Sequence, residues 1–298
     1  MRWKNLRESE NVERRRGGGG KGVAMGGGIG AIIMAIIAIF VLNQDPAKVM
    51  SQMAQQKQQQ GPAIPQTERE KEIDQFVRSI KGSTEEIWTK LLSQNGGRQN
   101  FPPQYRIPKL VNYDGMTRMK TGGVADARMG PFYLPAEETI YIDTSFFNQM
   151  DRDLGGGGDF AYAYVIAHEV GHHVQKLTKM TDYVHSRKGR IPDAQYNQLS
   201  VRLELQTDFY AGVWAHHANE QHRRAKGTNL LEEGDIEEAM NSAQAIGDDT
   251  LQKNAGQKIQ PESFNHGTSK QRMNWFIKGL RTGDISQGNT FSIDYRDL

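Results

Sequence analysis

The chain has 298 residues, of which 24% are charged and 37% hydrophobic, enough for one or two folded domains and too apolar for overall disorder. It contains no cysteine, so a disulfide framework and every thiolate metal site are excluded, and any metal must be held by His and carboxylates. The net charge of +2 is uneven: residues 1–22 carry seven Lys/Arg against three Glu, or +4, which leaves the remainder at −2 and argues against a nucleic-acid partner.

Taken in chain order, residues 1–22 read as a basic cytoplasmic tail ending in Arg14-Arg15-Arg16 and Lys21. Residues 23–42 are uncharged and dominated by Ile, Ala, Met, Val and Gly, a stretch that approaches the ~30 Å of a bilayer core. With the basic cluster before it, the positive-inside rule predicts a transmembrane anchor at an inner or cell membrane, the N-terminus cytoplasmic and the rest periplasmic or extracellular. Gly26 and Gly30 within it form a GxxxG pair, a weak sign of helix pairing. Residues 43–69, rich in Gln and Pro, read as a linker.

The folded domain is expected at 70–298. Ile73, Phe76, Val77 and Ile80 recur at helical spacing, and Ser83 or Thr84 is suited to cap a second helix bearing Ile87, Leu91 and Leu92. Strand-like pieces follow at 105–113 and 139–143, the latter alternating with the two-residue period of a half-buried strand. Glycines at 155–158 break the chain before a helix expected over 159–177. Further helices are expected at 194–218, 236–254 and 269–280, their Leu and aromatic stripes facing a core. His185, His216, His217 and His222 lie in polar surroundings and are expected at the surface.

The helix over 159–177 contains His168-Glu169-Val170-Gly171-His172-His173. Helical geometry sets His168 and His172 one turn apart on one face with Glu169 at the rim, two corners of a zinc tetrahedron beside a carboxylate base. His173 is rotated by about 100° from that face, which points to a structural role. In the next long helix Glu204 and Asp208 share a face four residues apart amid apolar neighbours. Glu204 is the expected third ligand, and Asp208 the acceptor for the free ring nitrogen of a zinc-bound histidine. One Zn2+ per chain with a water in the fourth position makes a peptide-bond hydrolase in which Glu169 is the general base. Two other readings stay open: a membrane-tethered binding or scaffold protein with a structural zinc, and a zinc amidase acting on cell-wall crosslinks. The partners expected are a peptide or protein substrate and, through residues 23–42, a membrane.

The runs Gly130-Pro131-Phe132-Tyr133, Tyr141-Ile142-Asp143-Thr144-Ser145-Phe146-Phe147, 163–175 around the histidines, Glu204-Leu205-Gln206-Thr207-Asp208 and Ala211-Gly212-Val213-Trp214-Ala215 resemble the bacterial "putative neutral zinc metallopeptidase" (YpfJ-like) family. The resemblance implies an α+β, zincin-like fold, mostly helical with a small sheet and preceded by a single transmembrane helix. It also implies His168, His172 and Glu204 as zinc ligands and Glu169 as the catalytic residue. Members commonly have Cys where this chain has Leu134, Phe209 and Gly288, so any stapling there must be replaced by packing. The strand over 139–143 stands where zincins present an edge to substrate. The segment Asn265-His266-Gly267-Thr268-Ser269, followed by Arg272, resembles the His-and-Arg segment of related membrane zinc peptidases. That implies either a catalytic His266 stabilising the oxyanion, or a structural His266 at a helix start capped by Ser269.

Overall fold

A computed structural model describes residues 1–15, 67–97, 101–153, 158–245, 247–254 and 258–298. Among these the chain is mostly helical with a small sheet. Strand β1 (Val12–Arg15) pairs in parallel with β2 (Lys109–Tyr113), which pairs in parallel with β6 (Thr139–Asp143). Strand β5 (Phe132–Leu134) runs antiparallel to β6, giving the order β1-β2-β6-β5, while β3 (Met116–Arg118) and β4 (Val124–Asp126) form a separate pair. The helices are α1 (Glu68–Asn95), α2 (Ser145–Asp153), α3 (Asp159–Leu177), α4 (Met180–His185), α5 (Asp193–Lys226), α6 (Asp235–Ala245), α7 (Asp248–Asn254) and α8 (Ser269–Thr282).

Strand β6 is not an edge. Every residue of Thr139–Asp143 is buried, because β2 covers one side and β5 the other. Among the described residues, the strand in contact with the histidine helix that is paired on one side only is β5, which is too short at three residues to show a period in sequence.

The N-terminal residues correct the expected membrane topology. Val12 to Arg15 pair residue for residue with Leu110 to Tyr113. Trp3 is buried edge-on against Phe76 of α1, and its Nε1 donates to Asp159 Oδ2 at the start of α3 over 3.0 Å. A strand cannot lie across a membrane from its own sheet partner, so the arrangement of a cytoplasmic N-terminus and an external domain does not hold. The basic residues that suggested it serve other ends: Arg7 meets Glu85 and Glu86, Arg14 meets Asp114, and Arg15 meets Glu13. Among the described residues no helix is long and apolar enough to cross a membrane. The anchor expected at 23–42, with its GxxxG pair, and most of the linker expected at 43–69 lie outside the described residues.

The two helices expected between 70 and 95 are one. Thr67 caps it in a capping box with Glu70, and Thr84, rather than capping, turns its hydroxyl back to Lys81 O at 2.7 Å. Gly82 is the close-approach point for the N-terminal arm: a Cβ there would collide with the carbonyl of Arg7. Conversely, the single helix expected over 236–254 is two, α6 and α7.

Helices α5 and α8 cross at Gly212 and Gly279, where a Cβ on either would strike the backbone of the other helix at Phe276 or Phe209. This contact fixes Arg272 of α8 opposite Asp208 of α5. Phe209 also covers Gly288, its ring filling the space that a side chain there would need. Two of the three positions where the resemblance implied cysteine, Phe209 and Gly288, are thus in contact through packing. Of the histidines expected at the surface, His185 is exposed, His216 and His217 are half-buried, and His222 is buried with its Nδ1 2.8 Å from Thr228 O.

Candidate metal centre

The histidine pair rises from the middle of α3, which starts after Gly158 and is buried along most of its length. The other side of the centre comes from α5. Between them, one ligand atom each from His168, His172 and Glu204 lie within 4.8 Å of one another. His168 Nε2 is 3.3 Å from Glu204 Oε2, and His172 Nε2 is 3.5 Å from Glu204 Oε1. Among the described residues no further His, Asp or Glu joins this group.

The outer nitrogens of both rings have acceptors. His168 Nδ1 is 2.8 Å from Asp208 Oδ1, and His172 Nδ1 is 3.1 Å from Gln175 Oε1. With the protons on Nδ1, the lone pairs of both Nε2 atoms point into the centre, as metal ligation requires. Gln175 is itself held by α5, donating to Leu203 O at 2.7 Å and to Gln206 Oε1 at 3.0 Å. Asp208 is fully buried and receives Arg272 Nε at 2.8 Å, an Arg272 Nη at 3.0 Å and the Tyr164 hydroxyl at 2.5 Å. A buried carboxylate needs that many donors to offset its desolvation.

Electrostatics separate the groups. Burial pushes the Glu169 carboxyl up to about 7, with Glu204 adding to the rise. Burial pulls His172 down to about 4. Burial alone would raise Glu204, but His172 and His168 hold it below the usual carboxylate range. In His168 burial is outweighed by Asp208 and Glu204, which carry the ring up to about 9, so a metal must displace a proton there. Two imidazoles and a carboxylate, converging with oriented tautomers in a chain without thiols, fit a zinc ion.

The loop that carries His266 packs on the α5 face that bears Glu204, where a Cβ on the neighbouring Gly267 would stand 3.2 Å from Val201 Cγ1, and His266 Nδ1 is 3.0 Å from Asp248 Oδ1. The following helix is capped by Thr268 in a capping box with Gln271, not by Ser269. His173 faces away, tying α3 to Tyr133 OH at 2.8 Å and Arg106 O at 2.5 Å. Sequence reasoning gave no role to Tyr164, Gln175 or Asp248. Tyr164 stands one helical turn before His168, the one signal that would have flagged it.

The model of the family described as "Putative neutral zinc metallopeptidase" matches residues 1–291. The chain belongs to this family. It is 44% identical over 300 residues to the uncharacterized protein YpfJ of Escherichia coli strain K12, covering 98% of this chain and 99% of that protein. It is 35% identical over 266 residues to the uncharacterized protein Rv2575 of Mycobacterium tuberculosis strain H37Rv, covering 85% of this chain and 84% of that one. No solved structure matches it. The residues matched by the family model include the N-terminal arm, so the arm and the metal centre fall within one family match.

Proposed function

We propose that this chain is a zinc peptidase that hydrolyses peptide bonds with Glu169 as general base, His168, His172 and Glu204 holding the metal. The observation that carries this reading is a buried carboxylate, Glu169, next to three converging donors that no fourth His, Asp or Glu joins among the described residues. A closed, four-ligand site would have suited a structural zinc instead. Membership of the family supports the same class of chemistry.

Bound there, zinc acidifies water and polarises a carbonyl. Glu169, buried beside the ligand positions of α3, takes the proton from the attacking water and passes it to the leaving amine. Asp208 and Gln175 keep the ligand rings in register. His266, its ring kept protonated where Asp248 outweighs burial, donates from Nε2 to the developing oxyanion. Strand β5, in contact with α3 and paired on one side only among the described residues, is suited to receive an extended peptide by main-chain hydrogen bonds, with few demands on its sequence.

The test is Glu169→Gln in the full chain, assayed on a fluorescently labelled unfolded protein. Hydrolysis should vanish while zinc content stays at about one per chain. Cleavage at the parent rate would refute the mechanism.

A further inference from the structure

We infer that Asp248 positions His266 beside the metal centre by clamping the loop backbone and the imidazole ring together. The inference rests on the peptidase reading, in which His266 meets the substrate. Asp248 opens α7 and is 6% exposed. Its Oδ2 accepts the backbone N–H groups of Asn265 at 2.8 Å, His266 at 2.7 Å and Gly267 at 3.0 Å. Its Oδ1 meets His266 Nδ1 at 3.0 Å. The bond is returned from the backbone, Asp248 N donating to Gly267 O at 3.0 Å.

Three backbone bonds are enough to order a short loop. The fourth bond does nothing for the backbone; it sets the ring. An ionised carboxylate only accepts, so Nδ1–H is committed to Asp248, and the hydrogen that can reach an oxyanion is the second one of the protonated ring, on Nε2, the nitrogen on the side away from Asp248. The loop in turn lies on the α5 face that bears Glu204: a Cβ on Gly267 would stand 3.2 Å from Val201 Cγ1 and 3.4 Å from Leu205 Cδ2, residues that bracket Glu204. The neighbouring Asp249 secures the other half of the segment, accepting from Ser269 N at 2.8 Å and Ser269 Oγ at 2.9 Å. The start of α7 therefore supplies two successive clamps, of which Asp248 is the one that bonds the histidine ring.

The experiment compares Asp248→Asn, His266→Ala and the double variant with the parent, using the zinc-loaded full chain and the labelled unfolded protein. Asp248→Asn should lower kcat by about 100-fold with KM and zinc content unchanged. The double variant should fall no further than His266→Ala, because a residue acting through another has nothing left to position. An unchanged kcat, or losses that multiply, overturns the inference.

A spectroscopic reading needs no turnover. Long-range 1H–15N correlation should find a proton on His266 Nδ1 in the parent. In Asp248→Asn the three backbone N–H groups retain the amide oxygen, the amide NH2 faces the ring, and Nδ1 must accept. The single proton then sits on Nε2, and the ring, no longer able to take a second, is a weaker donor to the oxyanion. A bare Nδ1 in the parent overturns the inference even if the variant fails to fold. A parent that shows the Nδ1 proton but cleaves no peptide refutes the peptidase reading and leaves the clamp standing.

Discussion

Arg272 Nε donates to Asp208 Oδ2 over 2.8 Å in a pair withdrawn from solvent on both sides, and the other oxygen of the same carboxylate receives His168 Nδ1 at 2.8 Å. One carboxylate thus joins α8 to the histidine helix. Because the pair is buried, its removal from one side is costly: Arg272→Met should destabilise the fold by about 3–5 kcal/mol, since Asp208 is left with an uncompensated charge. Denaturant unfolding at neutral pH measures this. A loss below about 1 kcal/mol would mean that water or Tyr164 takes over the role of the guanidinium.

Asp208→Asn addresses the other half of the relationship. The amide keeps the shape but no longer presents an anion to His168 Nδ1, so the tautomer that points Nε2 into the centre is less favoured. Zinc affinity should fall about 10- to 100-fold, as read by competition against a chelator. His172→Ala and Glu204→Ala should instead abolish stoichiometric zinc, because each removes a donor from a group of three. Equal zinc content in all three variants would put the metal elsewhere.

The parts of this centre that share one helix were legible in the sequence. Four-residue spacing alone sets His168 with His172 and Glu204 with Asp208, and the helix period is local physics. Of what joins the helices, only the reach of Glu204 and Asp208 to the histidine helix was expected from the sequence. Gln175 and Asp248 act through partners 28 and 18 residues away, and no spacing rule announces them. Strand order is likewise non-local: Thr139 to Asp143 has the alternation of a half-buried strand, yet its place between β2 and β5 depends on segments that are distant in sequence. The N-terminal arm misled for a related reason. A four-residue strand is too short to show a period, and Arg14 and Arg15 beside an apolar run look like a topogenic signal until Asp114 and Glu13 are seen beside them.

The arm's share of stability can be measured through Trp3. It is buried against Phe76 with ring centroids 5.3 Å apart and is hydrogen bonded to Asp159, so it links residues 1–15 to both α1 and the histidine helix. Trp3→Ala should cost about 3–5 kcal/mol, the range for truncating a large buried aromatic residue. The midpoint of denaturant unfolding should move accordingly, and the arm should become sensitive to protease under native conditions. An unchanged midpoint would mean that the arm does not belong to the cooperative unit.

Glu85 is the group through which the arm should respond to acid. It is 3% exposed and accepts from Lys81 Nζ at 2.8 Å, Ser9 Oγ at 2.5 Å and Arg7 Nη2 at 2.9 Å. Burial alone would raise its pKa, but Lys81, Ser9 and Arg7 together bring it below 4.5. A carboxyl whose folded pKa lies below its unfolded one contributes stability that is fully present above the unfolded value and is lost as pH falls through the folded one. The parent should therefore lose stability on acidification below about pH 4.5. Glu85→Gln, less stable than the parent at pH 7, should show a shallower acid limb, so that the gap between the two narrows as pH falls. Unfolding curves at pH 7, 4 and 3 measure that gap. If it is as wide at pH 3 as at pH 7, the anchor of the arm is not the charge on Glu85.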